Sequence, residues 1–276
     1  MKISHKNKVL ELSTPQVMGI LNVTPDSFSD GGRFNQIDLA VKQTLDMIND
    51  GASIIDIGGE STRPGAALVS QEQELDRVIP VIEAIRRESD VWISIDTSKA
   101  IVMKEAVDTG ADLINDVRAL TQNNALSVAA QLDVPVCLMH MQGQPKDMQN
   151  NPSYENFIAD IKSFFDERLS TCQQSGIKRE NIILDPGFGF GKSMEHNYSL
   201  IKHFNDFSNY GLPLLAGLSR KSMFDHLLTL KIDERLASSL TGALLCAQQG
   251  ASILRVHDVK ETSDMVKILN TVKNSL

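Results

Sequence analysis

Short apolar runs alternate with longer amphipathic stretches along almost the whole chain. Asp50-Gly51-Ala52-Ser53-Ile54-Ile55-Asp56 is one join between them, and its pattern returns at Thr109–Asn115 and at Gln249–Arg255. Each copy reads as a helix end, a glycine suited to the left-handed closing position, a brief apolar strand and a polar residue. The other apolar runs are 17–21, 91–95, 135–139, 181–184 and 212–216. Runs this short and this apolar fit strands buried on both faces, as in a parallel sheet. Between them, helical spacing covers 37–49, 71–87, 99–108, 124–131, 154–174, 194–207, 233–248 and 259–272.

Eight strands and eight helices in alternation imply a parallel sheet with crossover helices. Eight units in 276 residues favour a closed (β/α)8 (TIM) barrel, one domain over 1–276, above an open doubly wound sheet. In such a barrel the active site lies at the C-terminal ends of the strands. Those ends carry Asn22, Asp56, Asp96, Asn115, His140, Asp185, Gly217 with Ser219 and Lys221, and Arg255 with His257. Any one of them could cap the following helix. Asp96, followed by Thr97-Ser98, reads equally as a cap, and Asp56 reads better as a brace for its loop than as part of a site. Taken together, the polar ends converge on one mouth.

Composition narrows the chemistry. Lys and Arg number 27 against 35 Asp and Glu, a net charge of −8, which argues against a nucleic-acid partner. No stretch has the length of a membrane span, and the lysines at 2, 6 and 8 are followed by no apolar signal segment. Cys137, Cys172 and Cys246 are odd in number and widely spaced, so buried reduced thiols in a cytoplasmic protein are expected.

Three sets of residues carry candidate chemistry. Asp96, Asn115 and Asp185 suit the donor–acceptor edge of a flat heterocycle, or alternatively a hard cation, although their spacing is not that of a dedicated cage. Arg63, Ser219-Arg220-Lys221 and Arg255-Val256-His257 form a cationic set, the last two following strands 7 and 8, where such barrels often bind phosphate. The stretches 22–32 and 58–65 are long, glycine-containing candidate lids bearing Phe28 and Arg63. Phe190, in Gly187-Phe188-Gly189-Phe190-Gly191-Lys192, reads as an aromatic wall, His140 as a structural hydrogen-bonder, and Met139 and Met141 as wall or core. No Ser-His-Asp or Cys-His constellation is visible.

These residues resemble a known family. Met18–Gly32 resembles the first signature of the dihydropteroate synthases, and Asp56–Gly65 the second. Ile95-Asp96-Thr97, Ile114-Asn115-Asp116, Leu184–Lys192, Ser219–Ser222 and Arg255–Val259 follow in family order, so the resemblance spans roughly 15–262. It implies a transferase of folate biosynthesis that condenses 6-hydroxymethyl-7,8-dihydropterin diphosphate with 4-aminobenzoate. It also implies Mg2+, a homodimer, to which the apolar 236–245 helix could offer a face, and sulfonamide sensitivity. By motif position, Asp96, Asn115, Asp185, Lys221, Arg255, Met139 and Phe190 would hold the pterin. Asn22, Thr62, Arg63, Ser219, Arg255 and His257 would hold the diphosphate, with Asn22 also on the metal. Phe28, Pro64, Phe190, Lys221 and Ser222 would line the aminobenzoate site, and Arg63, Lys221, Arg255 and His257 would be catalytic. A pterin-dependent methyltransferase would have little use for Arg63 or the Arg255/His257 pair, and a silent scaffold would be expected to have lost them.

Overall fold

The computed structural model describes residues 1–24, 33–61, 68–143, 148 and 152–275. The chain opens with a hairpin, β1 (Lys2–His5) and β2 (Lys8–Glu11), paired antiparallel with Lys2 opposite Glu11. Eight parallel strands follow: β3 (Gln16–Asn22), β4 (Ile54–Gly58), β5 (Trp92–Asp96), β6 (Leu113–Asp116), β7 (Val136–Met139), β8 (Ile182–Asp185), β9 (Leu215–Ala216) and β10 (Ile253–Val256). The order in the sheet is β8-β7-β6-β5-β4-β3-β10-β9. A parallel bridge between Leu184 and Leu214, with Leu184 N–H donating to Pro213 O at 2.9 Å, joins the two ends into a ring. The helices are α1 (Arg33–Asn49), α2 (Gln71–Glu88), α3 (Ala100–Thr109), α4 (Ala125–Leu132), α5 (Phe157–Gln174), α6 (Met194–Lys202), α7 (Ser222–Leu228), α8 (Leu236–Gln248) and α9 (Val259–Asn274).

Side chains alternate across each strand, so the odd and even positions enter different cores. Ile55, Ile57, Ile93, Ile95, Ile114, Val136, Leu138, Ile182, Leu184, Leu254 and Val256 pack with the helices. Met18, Ile54, Trp92, Leu113, Cys137, Ile183, Leu215 and Ile253 form an inner floor with Ile3, Leu10 and Leu12 of the hairpin, which plugs the N-terminal end of the barrel. Two residues further along their strands lie Asp56, Ser94, Asn115, Met139, Asp185 and Arg255. The period of two therefore stacks a polar layer on an apolar floor.

The expected alternation of eight strands and eight helices needs five corrections. The hairpin went unpredicted because its turn uses Lys6 at φ 52°, where glycine or asparagine would have signalled it. The short α7 is an added helix between β9 and α8. The strand expected over 212–216 shrinks to Leu215–Ala216, since Pro213 has no N–H to give a ladder. The helix expected over 194–207 ends at Lys202 and passes into a 3-10 segment, Phe204–Tyr210, while α5 begins only at Phe157, capped by Asn156 Oδ1 accepting from Ala159 N–H at 3.3 Å.

Candidate active site

Arg255 is the penultimate residue of β10 and reaches across the barrel. Its Nε donates to Asp56 Oδ2 at 2.6 Å, and its Nη2 donates to Asp96 Oδ2 at 2.7 Å. Asn115 Nδ2 donates to Asp56 Oδ2 at 3.2 Å. Asp56 is fully buried, so its charge needs this pairing. One guanidinium faces two carboxylates, which leaves a negative charge in excess. Asp96 bears the cost: burial raises its pKa, Arg255 lowers it and Asp56 raises it again, for a net value of about 7. For Arg255, burial acts to lower the pKa, but Asp56 and Asp96 outweigh it and keep the guanidinium charged.

Asp185, at the end of β8, is also raised by burial, opposed by Gly187 N–H donating to its Oδ1 at 2.8 Å and by Lys221. Lys221 is lowered by burial and by Arg255 to about 8, Asp185 and Asp96 pulling the other way. Its Nζ sits 4.1 Å from the Phe190 ring centroid, a cation–π contact. Carboxyls pushed up beside amines pushed down mark a site tuned for ligand binding near neutrality.

The segment between β8 and α6 is bent by Gly187, Gly189 and Gly191, all at positive φ. A Cβ on Gly187 would stand 2.0 Å from His140 O, so only glycine lets this segment lie against the end of β7. Phe188 turns to the helix layer and stacks on Phe204, while Phe190 packs with Val117, Met139 and Met148. Lys192, only 2% exposed, donates to Phe190 O at 3.1 Å and His140 O at 3.3 Å, and its Nζ lies 2.9 Å from His140 Nδ1. Burial lowers Lys192 to about 7; burial and Lys192 together lower His140 to about 2, leaving a neutral ring that accepts.

Ser219 follows β9 and meets His257, which follows β10. Ser219 Oγ accepts from His257 N–H at 3.1 Å and lies 3.0 Å from Nδ1. The hydroxyl carries one donor and two acceptor sites, so it serves the ring nitrogen in either tautomer. Arg220 turns away from this cationic set, its side chain paired with both carboxylate oxygens of Asp258.

The mouth thus gathers Asp96, Asn115, Asp185, Lys221, Phe190, Arg255, Ser219 and His257. Asn22 is exposed at the end of β3, Met139 is buried beside Phe190, and Ser222 is the exposed first residue of α7. Phe28, Thr62, Arg63 and Pro64 lie outside the described residues. The reading of Asp56 as a loop brace is corrected: it is the buried partner of Arg255. The stagger of neighbouring strands could have found it, since two residues past the floor on β4 is inside the barrel. Lys192 was also missed, and its local sequence carries no signal for a partner on β7. All three cysteines are buried and free, and burial raises each thiol pKa, so none serves as a thiolate nucleophile. Among the described residues no three or more His, Cys, Asp or Glu form a metal cluster.

Fold and mouth together define a (β/α)8-barrel enzyme that opposes a carboxylate–amide edge to a set of cations. The family model described as pterin binding enzyme matches residues 18–257. The dihydropteroate synthase of Haemophilus influenzae is 56% identical over 275 residues, covering 100% of both chains. The crystal structure of the Yersinia pestis dihydropteroate synthase in a sulfonamide drug complex superposes with a TM-score of 0.95 at 51% identity, over 100% of both chains. That of Xanthomonas albilineans with 4-aminobenzoic acid gives a TM-score of 0.94 at 44% identity, covering 100% of this chain and 99% of the other. This chain belongs to the pterin-binding enzymes and, within them, to the dihydropteroate synthases, which are transferases.

Proposed function

We propose that the mouth residues divide the condensation of 6-hydroxymethyl-7,8-dihydropterin diphosphate with 4-aminobenzoate into three tasks. Asp96, Asn115 and Asp185 read the polar edge of the pterin, with Met139, Phe190 and Lys221 around it and Arg255 against its face. Asn22, Thr62, Arg63, Ser219, Arg255 and His257 hold the diphosphate. Phe28, Pro64, Phe190, Lys221 and Ser222 line the aminobenzoate site, where a sulfonamide would compete. The observation that carries this reading is Arg255, held at 2.6 Å and 2.7 Å by two buried carboxylates and so fixed before substrate arrives. A preorganised cation is worth most where charge develops.

The C–O bond to diphosphate breaks with its electron pair leaving on the diphosphate oxygen, countered by Arg63, Arg255 and His257. The ring electrons of the pterin, held by Asp96 and Asp185, delocalise the positive charge left on the methylene carbon. The amine lone pair of aminobenzoate then forms the C–N bond, and the nitrogen passes its proton to the released diphosphate. We place diphosphate departure first, and the stretches 22–32 and 58–65 as the cover that keeps water from the carbon.

Asn22 offers one exposed oxygen donor at the strand end. That suits Mg2+ carried mainly by the diphosphate, because Mg2+ bound with substrate phosphates takes few protein ligands. When bound, Mg2+ would supply further neutralisation of the leaving group. A homodimer fits the exposed Leu227, Leu228, Ile232 and Leu245 on and beside α7 and α8. A cytoplasmic location fits three free, buried thiols. Among the described residues no helix is long and apolar enough to cross a membrane.

The test is steady-state turnover with both substrates and Mg2+, for the native chain and for Arg255→Ala. Loss of at least about a hundredfold in kcat/KM for the pterin substrate is expected; normal turnover of Arg255→Ala would remove the anion-site assignment. Diphosphate release from the pterin substrate in the absence of aminobenzoate supports the dissociative order. Its strict absence would overturn that order.

A further inference from the structure

We propose that Lys192 is a positioning residue for the aminobenzoate site, acting through Phe190 and touching neither substrate. The inference rests on the assignment of Phe190 and Lys221 to that site.

Lys192 is nearly sealed from solvent, a costly place for an amine unless every donor is used. It has three acceptors: Phe190 O at 3.1 Å, His140 O at 3.3 Å and His140 Nδ1 at 2.9 Å. They match the three donors of an ammonium group. Two of them belong to the residue that follows β7, and the third to the residue whose ring meets Lys221. The side chain therefore ties the end of one strand to the bend that follows the next.

Its neighbours hold the same bend from other sides. Gly189 N–H donates to Asn197 Oδ1 at 2.7 Å, and Asn197 Nδ2 donates to Lys192 O at 3.3 Å and Ser193 O at 2.7 Å. Tyr154 Oη donates to Gly191 O at 2.7 Å. Among these, Lys192 alone holds the carbonyl of Phe190 itself. Phe190 N–H closes the bend by donating to Gly187 O at 3.3 Å, and the ring packs on Val117, Met139 and Met148, so the Lys192 bond to its carbonyl is the side-chain anchor that fixes the far side of the same residue. The ring in turn sits under the Lys221 ammonium at 4.1 Å. Releasing the carbonyl would loosen both walls of the aminobenzoate site, while the Asp96–Arg255–Asp56 set across the barrel keeps its own contacts.

The test replaces Lys192 with Met, which keeps length and apolar bulk but removes all three donors. The KM for aminobenzoate is expected to rise about tenfold, the worth of one such buried hydrogen bond. The Kd for the pterin diphosphate, titrated without aminobenzoate, should rise less than that, by no more than about threefold, because Phe190 and Lys221 stand beside the pterin but its polar edge is still read by Asp96, Asn115 and Asp185. In a Phe190→Ala background, Lys192→Met should add nothing further to the aminobenzoate KM, because the residue through which it acts is gone. Lys192→Gln, which retains a donor, should recover part of the loss, and it carries the same comparison if the Met variant does not fold. Equal losses for both substrates, or independent effects of Lys192 and Phe190, would overturn the inference. An unchanged aminobenzoate KM in Phe190→Ala alone would instead overturn the site assignment beneath it.

Discussion

Arg255 and Asp56 stand 199 residues apart in the chain, yet the guanidinium Nε donates to Asp56 Oδ2 at 2.6 Å inside the barrel. Asp96 takes the other end of the same guanidinium. The cation at the centre of the mouth is thus held by Asp56, which has no substrate to read, and by Asp96, which also serves the pterin edge. Removing one of them tests how much the reaction owes to that preorganisation. Asp56→Asn keeps the shape and the link to Asn115 but removes a charge. It should lower kcat/KM for the pterin substrate by about 30-fold, in line with about 2 kcal/mol for a broken buried charge pair. Steady-state kinetics decide this, and an unchanged value would mean that Asp96 alone fixes Arg255.

The excess negative charge makes a second prediction, about pH. Asp96 in the unliganded protein holds its proton to about pH 7, whereas the unfolded chain releases it near 3.8. Between those values the folded state binds more protons, so the contribution of Asp96 to stability falls as pH rises from about 4 to about 7. Asp185 and Asp116, both raised by burial, act in the same direction. Lys192 and Lys221 are lowered from 10.5 to about 7 and about 8, so in the alkaline range their contribution grows as pH rises. Urea denaturation of Asp96→Asn should accordingly lose less stability between about pH 5 and about pH 7 than the native chain does. Parallel pH profiles for the two would refute the burial of Asp96 as its controlling feature.

Ser219 orients His257 through both the ring and the backbone. Ser219→Ala removes the partner of both the ring nitrogen and the backbone N–H of His257. A loss of about five- to tenfold in kcat/KM is expected, the size of one hydrogen bond. The fall should be strongest for the pterin diphosphate and absent from the KM of aminobenzoate. A loss confined to aminobenzoate would move Ser219 to the other subsite.

At the opposite end of the barrel, Asp112 accepts from Lys8 Nζ at 3.0 Å, from Ile93 N–H at 3.0 Å and from Arg86, and thereby pins the hairpin plug. Asp112→Ala removes the carboxylate shared by Lys8 and Arg86, leaving Arg86 its carbonyl acceptors at Gly110, Ser89 and Val91 and leaving Ile93 N–H without its acceptor. Chemical denaturation should register a loss of about 1–3 kcal/mol, while kcat stays unchanged. A kinetic defect with intact stability would show the floor and the mouth to be coupled.

Much of this was legible from residue order. The glycine joints at Gly51, Gly110 and Gly250 mark helix ends, and all three take positive φ. The apolar runs after them became strands β4, β6 and β10. Asp96, Asn115, Asp185, Lys221, Arg255 and His257 stand at or just beyond strand ends, where a parallel barrel exposes its side chains to one mouth. That much follows from local periodicity and from the direction common to all strands. The N-terminal hairpin, the added helix α7 and the short β9 were not legible, because a lysine turn, a loop helix and a proline-broken strand leave weak local signals.

The linear order of residues by itself determined the repeating unit, its number and the sign of charge at each strand end, since each depends only on neighbours a few positions away. Closure of the ring decided the rest. It turned Asp56 from a loop brace into the partner of Arg255, and it set Lys192 beside His140, 52 residues earlier in the chain. Such pairings depend on the stagger of strands and on which buried donors find acceptors. Burial makes an unmatched choice costly, and no run of neighbouring residues records it.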